Sequence, residues 1–259
     1  MHRFRKFLPI FFVFVFCILA IYPLFHSGLI PTHDGEYHVV RFYEFDKTLK
    51  DGNWYPMWAE DLNYTYGIPL FNYVYPLPNY VSSLFHLFNF SFMDSFKANL
   101  IISSISGAIF AYLYGKNRFG EWGGVVTSVF YTYSPYRLLD IYVRGSVGEV
   151  WAIALFPLCL YFFDKVHFGG NRKAIIYAGI TYSLIIFSHN ILSVMFTGFA
   201  ICYIALLVFS SKTKKQTAFS LIASLIIGLL LSCVFFLPAL LEAKFTKGLN
   251  TFNVFENFP

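Results

Sequence analysis

Charge is scarce in this chain. Only 13% of its 259 residues are Asp, Glu, Lys or Arg, against about a quarter in ordinary soluble domains. Cysteine is equally thin. Cys17, Cys159, Cys202 and Cys233 all fall within apolar runs, with no CxxC spacing, which argues against a disulfide framework or a zinc site. There is no Walker-type phosphate loop, nucleotide-binding glycine pattern or serine nucleophile elbow, so an ATP-driven or nucleotide-sugar reaction has no residues to carry it. No internal repeat or low-complexity linker divides the chain, which reads as one domain. What it has instead is apolar sequence, 57% hydrophobic and 22% aromatic.

Several uncharged runs approach or exceed the ~18–20 residues that cross ~30 Å of hydrocarbon. The predicted fold class is an all-α polytopic membrane protein, with spans at 7–25, 95–114, 122–138, 148–164, 174–188, 191–210 and 217–237. The first is read as an uncleaved anchor: Arg3, Arg5 and Lys6 precede it, but no small-x-small cleavage site follows. Residues 257–259 follow the last span without a closing element, as in the front part of a longer protein.

Basic residues orient the spans. Arg3, Arg5 and Lys6; Lys116 and Arg118; Lys165, Arg172 and Lys173; and Lys212, Lys214 and Lys215 form four short clusters, each expected on the cytoplasmic side. Residues 26–94, 139–147, the turn near 189–190 and everything after Pro238 then lie outside. Of the 14 acidic residues, Glu121 and Asp164 are the exceptions to an external placement. The net charge of +5 is thus explained by topology, and no nucleic-acid partner is expected. Residues 76–92 are apolar, but full crossing would invert every later loop. They are expected to form a juxtamembrane helix of the first external loop, residues 31–94.

That loop carries most of the ionisable residues. Asp34 is placed to N-cap a helix running to about Lys50 and stopping at Asp51-Gly52. Asp34, His38, Arg41 and Phe45 follow i, i+4, i+7, i+11, so one face carries an acid, an imidazole and a guanidinium in line. Val39, Phe42, Tyr43 and Leu49 make a second stripe, expected on the bilayer surface. A bland alternative is an interfacial helix with a wet polar face. His33-Asp34-x-Glu36 favours function, because two carboxylates and a histidine in four residues exceed what capping needs; Asp34 and Glu36 are candidate ligands of a divalent metal ion. The second external loop offers Arg137, Arg144 and Glu149. Arg144 suits a phosphate, since its fork donates paired hydrogen bonds. Arg137 is as readily a residue reaching to lipid headgroups. His189 marks the turn between two spans and is a further candidate.

The stretches His33-Asp34-Gly35-Glu36-Tyr37-His38, Trp54-Tyr55-Pro56-x-Trp58, Gly67-Ile68-Pro69-Leu70-Phe71, Tyr75-Pro76-Leu77-Pro78, Ser134-Pro135-Tyr136 and Arg144-Gly145-Ser146-Val147-Gly148-Glu149 resemble the GT-C superfamily of membrane glycosyltransferases. More closely, they resemble the membrane proteins labelled 6-pyruvoyl-tetrahydropterin synthase-related. Met57 and Thr65 stand where that pattern leads one to expect Arg and Gly. The resemblance implies a polyprenyl-phosphate-linked sugar donor and transfer to an acceptor on the outer face of the cell membrane, usually with inversion. It places Asp34 as the acid of the first external loop. On that reading Glu36 or Glu149 would assist it through a divalent ion or a hydrogen bond, Arg144 together with Arg41 would steady the lipid phosphate, and His33, His38 and His189 are secondary candidates for binding. The acceptor is not identified by the sequence. The alternative is a non-enzymatic lipid-linked glycan transporter or an assembly factor.

Overall fold

A computed structural model describes residues 2–169 and 172–246. Its elements are helices: α1 (His2–Ile21), α2 (Gly35–Lys50), α3 (Leu70–Tyr73), α4 (Leu77–Leu87), α5 (Phe92–Thr132), α6 (Pro135–Leu139), α7 (Val147–Gly169), α8 (Arg172–Ser188), α9 (Asn190–Ser210) and α10 (Lys214–Glu242). Among the described residues the only β pairing is an isolated bridge between Ala59 and Ile68. The chain is therefore an all-α polytopic membrane protein. By length and composition, α5, α7, α9, α10 and the segment Phe7–Phe25 are each able to cross a membrane.

Helix α5 is two rods rather than one. Gly120 has φ 79° and ψ −177°, outside helical geometry, and the chain doubles back there. Ser128 Oγ donates to the Ala108 carbonyl at 2.7 Å, and Gly124 lies against Tyr112. The arms thus run antiparallel, as the two predicted spans require. The second arm stops at Thr132, short of the expected 138, because Pro135 holds Ser134 extended (ψ 129°) and starts α6 instead. The remaining expected spans coincide with α1, α7, α8, α9 and α10 within a few residues, although α8, with 17 residues, is not among the helices long and apolar enough to cross. The expected tail at 257–259 lies outside the described residues. Helix α4 has eleven residues, about 16 Å at 1.5 Å per residue, too short to cross. This fits its expected juxtamembrane role.

The rods pack most extensively as α8 on α10 and α7, and as α5 on α7 and α1. One core, including Phe163, Tyr182, Ile185 and Phe196, joins α7 to α10. A second joins α1, α2, α5 and α7 through Ile21, Phe42, Phe96 and Val150. Pro157 inside α7 removes the partner of the Ile153 carbonyl, and the Tyr131 hydroxyl donates to it instead. At the Gly120 end, Asp164 is fully buried. It accepts from Arg118 Nε at 2.6 Å and from the Tyr203 hydroxyl at 2.7 Å, cross-linking α5, α7 and α9.

The opposite end carries a layer made of α2, α3, α4 and their loops. Helix α2 lies where the sequence predicts, but its faces are reassigned. Phe42 is a core residue at 0% exposure, and His38 (3%) and Phe45 (1%) are also buried. On the Asp34–Phe45 face His38 and Phe45 pack inward while Asp34 and Arg41 stay half-buried, so the face is not simply the wet side of an interfacial helix. Of the stripe expected on the bilayer surface, Tyr43 alone is exposed.

Candidate functional site

Two short backbone segments meet at the layered end. The N–H of His33 donates to the Val143 carbonyl at 2.9 Å, and that of Asp34 to the Arg144 carbonyl at 2.8 Å. Residues Asp140–Arg144 form a single π-helical turn ended by Gly145 at φ 67°, a local feature frequent at functional sites. Gly145 is needed twice over. Its φ is left-handed, and an added Cβ would fall 2.2 Å from Thr32 Oγ1. Gly148 admits the Tyr75 ring, which would lie 2.3 Å from a Cβ there.

Asp34 stands at the N-cap of α2 as expected, yet its side chain makes no capping bond. It forms no ion pair or side-chain hydrogen bond among the described residues. The carboxylate is half-buried, and its charge is felt at the Tyr75 hydroxyl together with those of Arg41, Arg144 and Glu149. Burial pushes that phenol up to about 12. Arg41 is half-buried and, among the described residues, has no carboxylate partner.

Arg144 differs. Its Nη1 donates to Glu149 Oε2 at 2.8 Å and to Asp140 Oδ1 at 3.1 Å, while Nη2 pairs with Glu149 Oε1. The Tyr136 hydroxyl donates to Glu149 at 2.6 Å. The phosphate-binding fork expected of Arg144 is thus occupied by two carboxylates. Asp140 is fully buried; its carboxyl is pushed up to about 7, first by burial and then by the charge of Glu149, with Arg144 opposing. His189 Nε2 lies 3.8 Å from Glu149, and its ring centroid 5.1 Å from that of Tyr75. Burial lowers the His189 pKa, against the pull of Glu149. His38 falls to about 3 through burial, then the Arg41 and His189 charges, so its imidazole is neutral.

The structure therefore gathers Asp34, Arg41, Arg144, Glu149 and His189 at one end, with His38 behind them. Glu36 and His33 are exposed and, among the described residues, their side chains make no hydrogen bond or ion pair there. Among the described residues no group of three or more His, Cys, Asp or Glu side chains is placed to hold a metal ion; Asp34 and Glu36 thus lack a third such donor. Of the two readings of Arg137, the one that has it reaching lipid headgroups is overturned. Arg137 is 1% exposed, donates to the Ser103 carbonyl at 3.3 Å and lies 5.6 Å from the centroid of the Tyr131 ring. Tyr75, Tyr136 and Asp140 were not singled out by sequence. Tyr75 and Tyr136 occur in recognisable motifs, but only folding brings them beside Glu149.

Fold and site together define a polytopic helical membrane protein with a half-buried cluster of acids, arginines, tyrosines and histidines at one end of its bundle. Residues 71–258 match the family described as 6-pyruvoyl-tetrahydropterin synthase related domain, membrane protein. This is most of the chain, which belongs to that family. The matched range includes Tyr75, Asp140, Arg144, Glu149 and His189, whereas Asp34 and Arg41 precede it. No curated protein gives a significant match to the chain.

Proposed function

We propose that the protein is a GT-C-type membrane glycosyltransferase that moves a sugar from a polyprenyl-phosphate carrier to an acceptor on the outer face of the cell membrane. The observation that carries this reading is the state of Asp34. A carboxylate at a helix N-cap that neither caps nor pairs is available to take a proton, and its backbone bond to Arg144 fixes where it stands. In this chemistry Asp34 removes the proton of the acceptor hydroxyl. The oxygen attacks the anomeric carbon, and the bond from that carbon to the carrier phosphate breaks, inverting the centre.

The leaving phosphate gathers negative charge and needs a cation. Arg41 supports that role better than Arg144, because Arg41 has no carboxylate partner among the described residues. Arg144, bound to Glu149 and Asp140, acts by holding the second loop in shape and adding positive field. Glu149 and His189 then serve as positioning residues, and the Tyr75 hydroxyl, a neutral donor, faces the same space.

The test is a mass-spectrometric comparison of cell-envelope glycans with and without the gene. Loss of one defined sugar, restored by the wild-type gene, is the expected result. Unchanged glycans in a strain with no second copy of the gene would contradict it.

A further inference from the structure

The layered end carries a second feature that the cluster around Asp34 does not use. Residues 59–68 form a closed loop in which Ala59 and Ile68 exchange both backbone hydrogen bonds, at 2.9 and 3.0 Å. Its base is tied to α2. Glu44, buried, accepts from the Asp61 N–H at 3.2 Å, and Lys47 donates to Asp61 at 2.7 Å. Trp58 closes the loop against Gly67, where a Cβ would fall 2.0 Å from the indole nitrogen. At the tip Asn63, Tyr64 and Thr65 have φ 56°, 56° and 68°. Three consecutive non-glycine residues in the left-handed region are a strained backbone, and such strain persists where the surroundings hold it and marks functional loops.

The result of that strain is a display of rings. Tyr64 is 92% and Tyr66 83% exposed, with Trp54 at 85% and Trp58 at 47%. The composition of this surface separates it from the neighbouring exposed apolar surface. On α4 and its flanks the exposed large residues are Leu84, Leu87, Phe88, Phe90 and Met93. From 51 to 67 every exposed large apolar residue is a Trp or Tyr, set among exposed Asp51, Asn53, Glu60, Asp61 and Asn63. Glu60 and Asp61 are paired with Lys47, but flat rings that stack on C–H faces, set beside the Asp51 carboxylate and the Asn53 and Asn63 amides, which bind hydroxyls, match a sugar.

We propose that the loop 59–68 and Trp54 form a binding surface for a carbohydrate chain. As the acceptor subsite it rests on the transferase reading above; as a carbohydrate-binding surface it does not. The experiment measures binding alone, so its failure is distinct from a failure of transfer. Wild-type protein in nanodiscs is titrated with maltohexaose, chitotetraose and a short dextran, using saturation-transfer NMR and calorimetry. At least one is expected to bind, and the double variant Tyr64→Ala, Tyr66→Ala is expected to bind it tenfold or more weakly. Tyr64→Phe with Tyr66→Phe, which keeps the rings, should stay within about threefold of wild type. A nitroxide on Tyr64→Cys should be more accessible to a water-soluble nickel chelate than to oxygen. Absence of binding to all three sugars, equal binding by the alanine variant, or a nitroxide immersed in lipid would overturn the proposal, the last in favour of a membrane-interface belt.

Discussion

The Asp34 N–H donates to the Arg144 carbonyl at 2.8 Å, so the two external loops predicted from sequence are one structural unit. The guanidinium of the same Arg144 bridges Glu149 and Asp140. Anything that disturbs the second loop therefore moves the first.

Arg144→Lys tests that linkage. An ammonium cannot make two parallel bonds to Glu149 while reaching Asp140. The substitution is expected to lower stability by about 1–2 kcal/mol, a partly exposed charge-assisted pair being worth that order. Phosphate binding should fall less than in Arg41→Lys. Thermal unfolding and binding of a short-chain polyprenyl phosphate to the purified variants measure the two effects. A larger binding defect in Arg144→Lys would return the phosphate to Arg144.

Much of the architecture was legible because membrane passes are written as apolar runs. The hairpin within α5 could be read from Lys116 and Arg118 standing between two such runs, and α2 from Pro31, Asp34 and the Asp51-Gly52 stop. The site was legible only as a set of candidates. Sequence spacing puts Asp34, His38 and Arg41 on one face, but whether that face meets water or core depends on Phe96 and Tyr75, distant in the chain. Arg137 and Arg144 look alike in the sequence; one is buried against Ser103 and Tyr131, the other engaged by two acids. The departure at Thr65 has a physical meaning that the sequence alone hid, since its φ of 68° is one that glycine adopts without strain.

Thr65→Gly follows from this. A left-handed L-residue costs about 1–2 kcal/mol, partly offset by the entropy that glycine loses on folding. The variant is expected to gain about 1 kcal/mol, read as a higher melting temperature. A loss of stability would mean that the Thr65 side chain supports the loop.

Asp140 sets a pH dependence. Its folded pKa of about 7 lies above the ~3.9 of a free Asp, so the folded state holds the proton more tightly than the unfolded one. The stabilisation is complete below about pH 4 and is lost as pH rises through about 7. The melting temperature of the purified protein should fall across that window, and Asp140→Asn should remove that part of the slope. An identical slope in the variant would assign it to another group.

Orientation is tested with single cysteines in a background lacking Cys17, Cys159, Cys202 and Cys233. An impermeant thiol reagent applied to intact cells should label position 64, in the exposed loop, and not position 119, at the exposed bend of α5. The reverse pattern would place the Asp34 cluster on the cytoplasmic side.

Whether Asp34 is the base is measured most directly by restoration of the missing envelope sugar by Asp34→Asn in cells lacking the gene. The Asp34 side chain makes no capping bond, so the substitution should leave the melting temperature and protein level unchanged. Removing a general base costs about 10²–10⁴-fold in rate, so the sugar is expected to stay absent or at trace level. Full restoration by folded Asp34→Asn protein, at wild-type expression, would contradict that role.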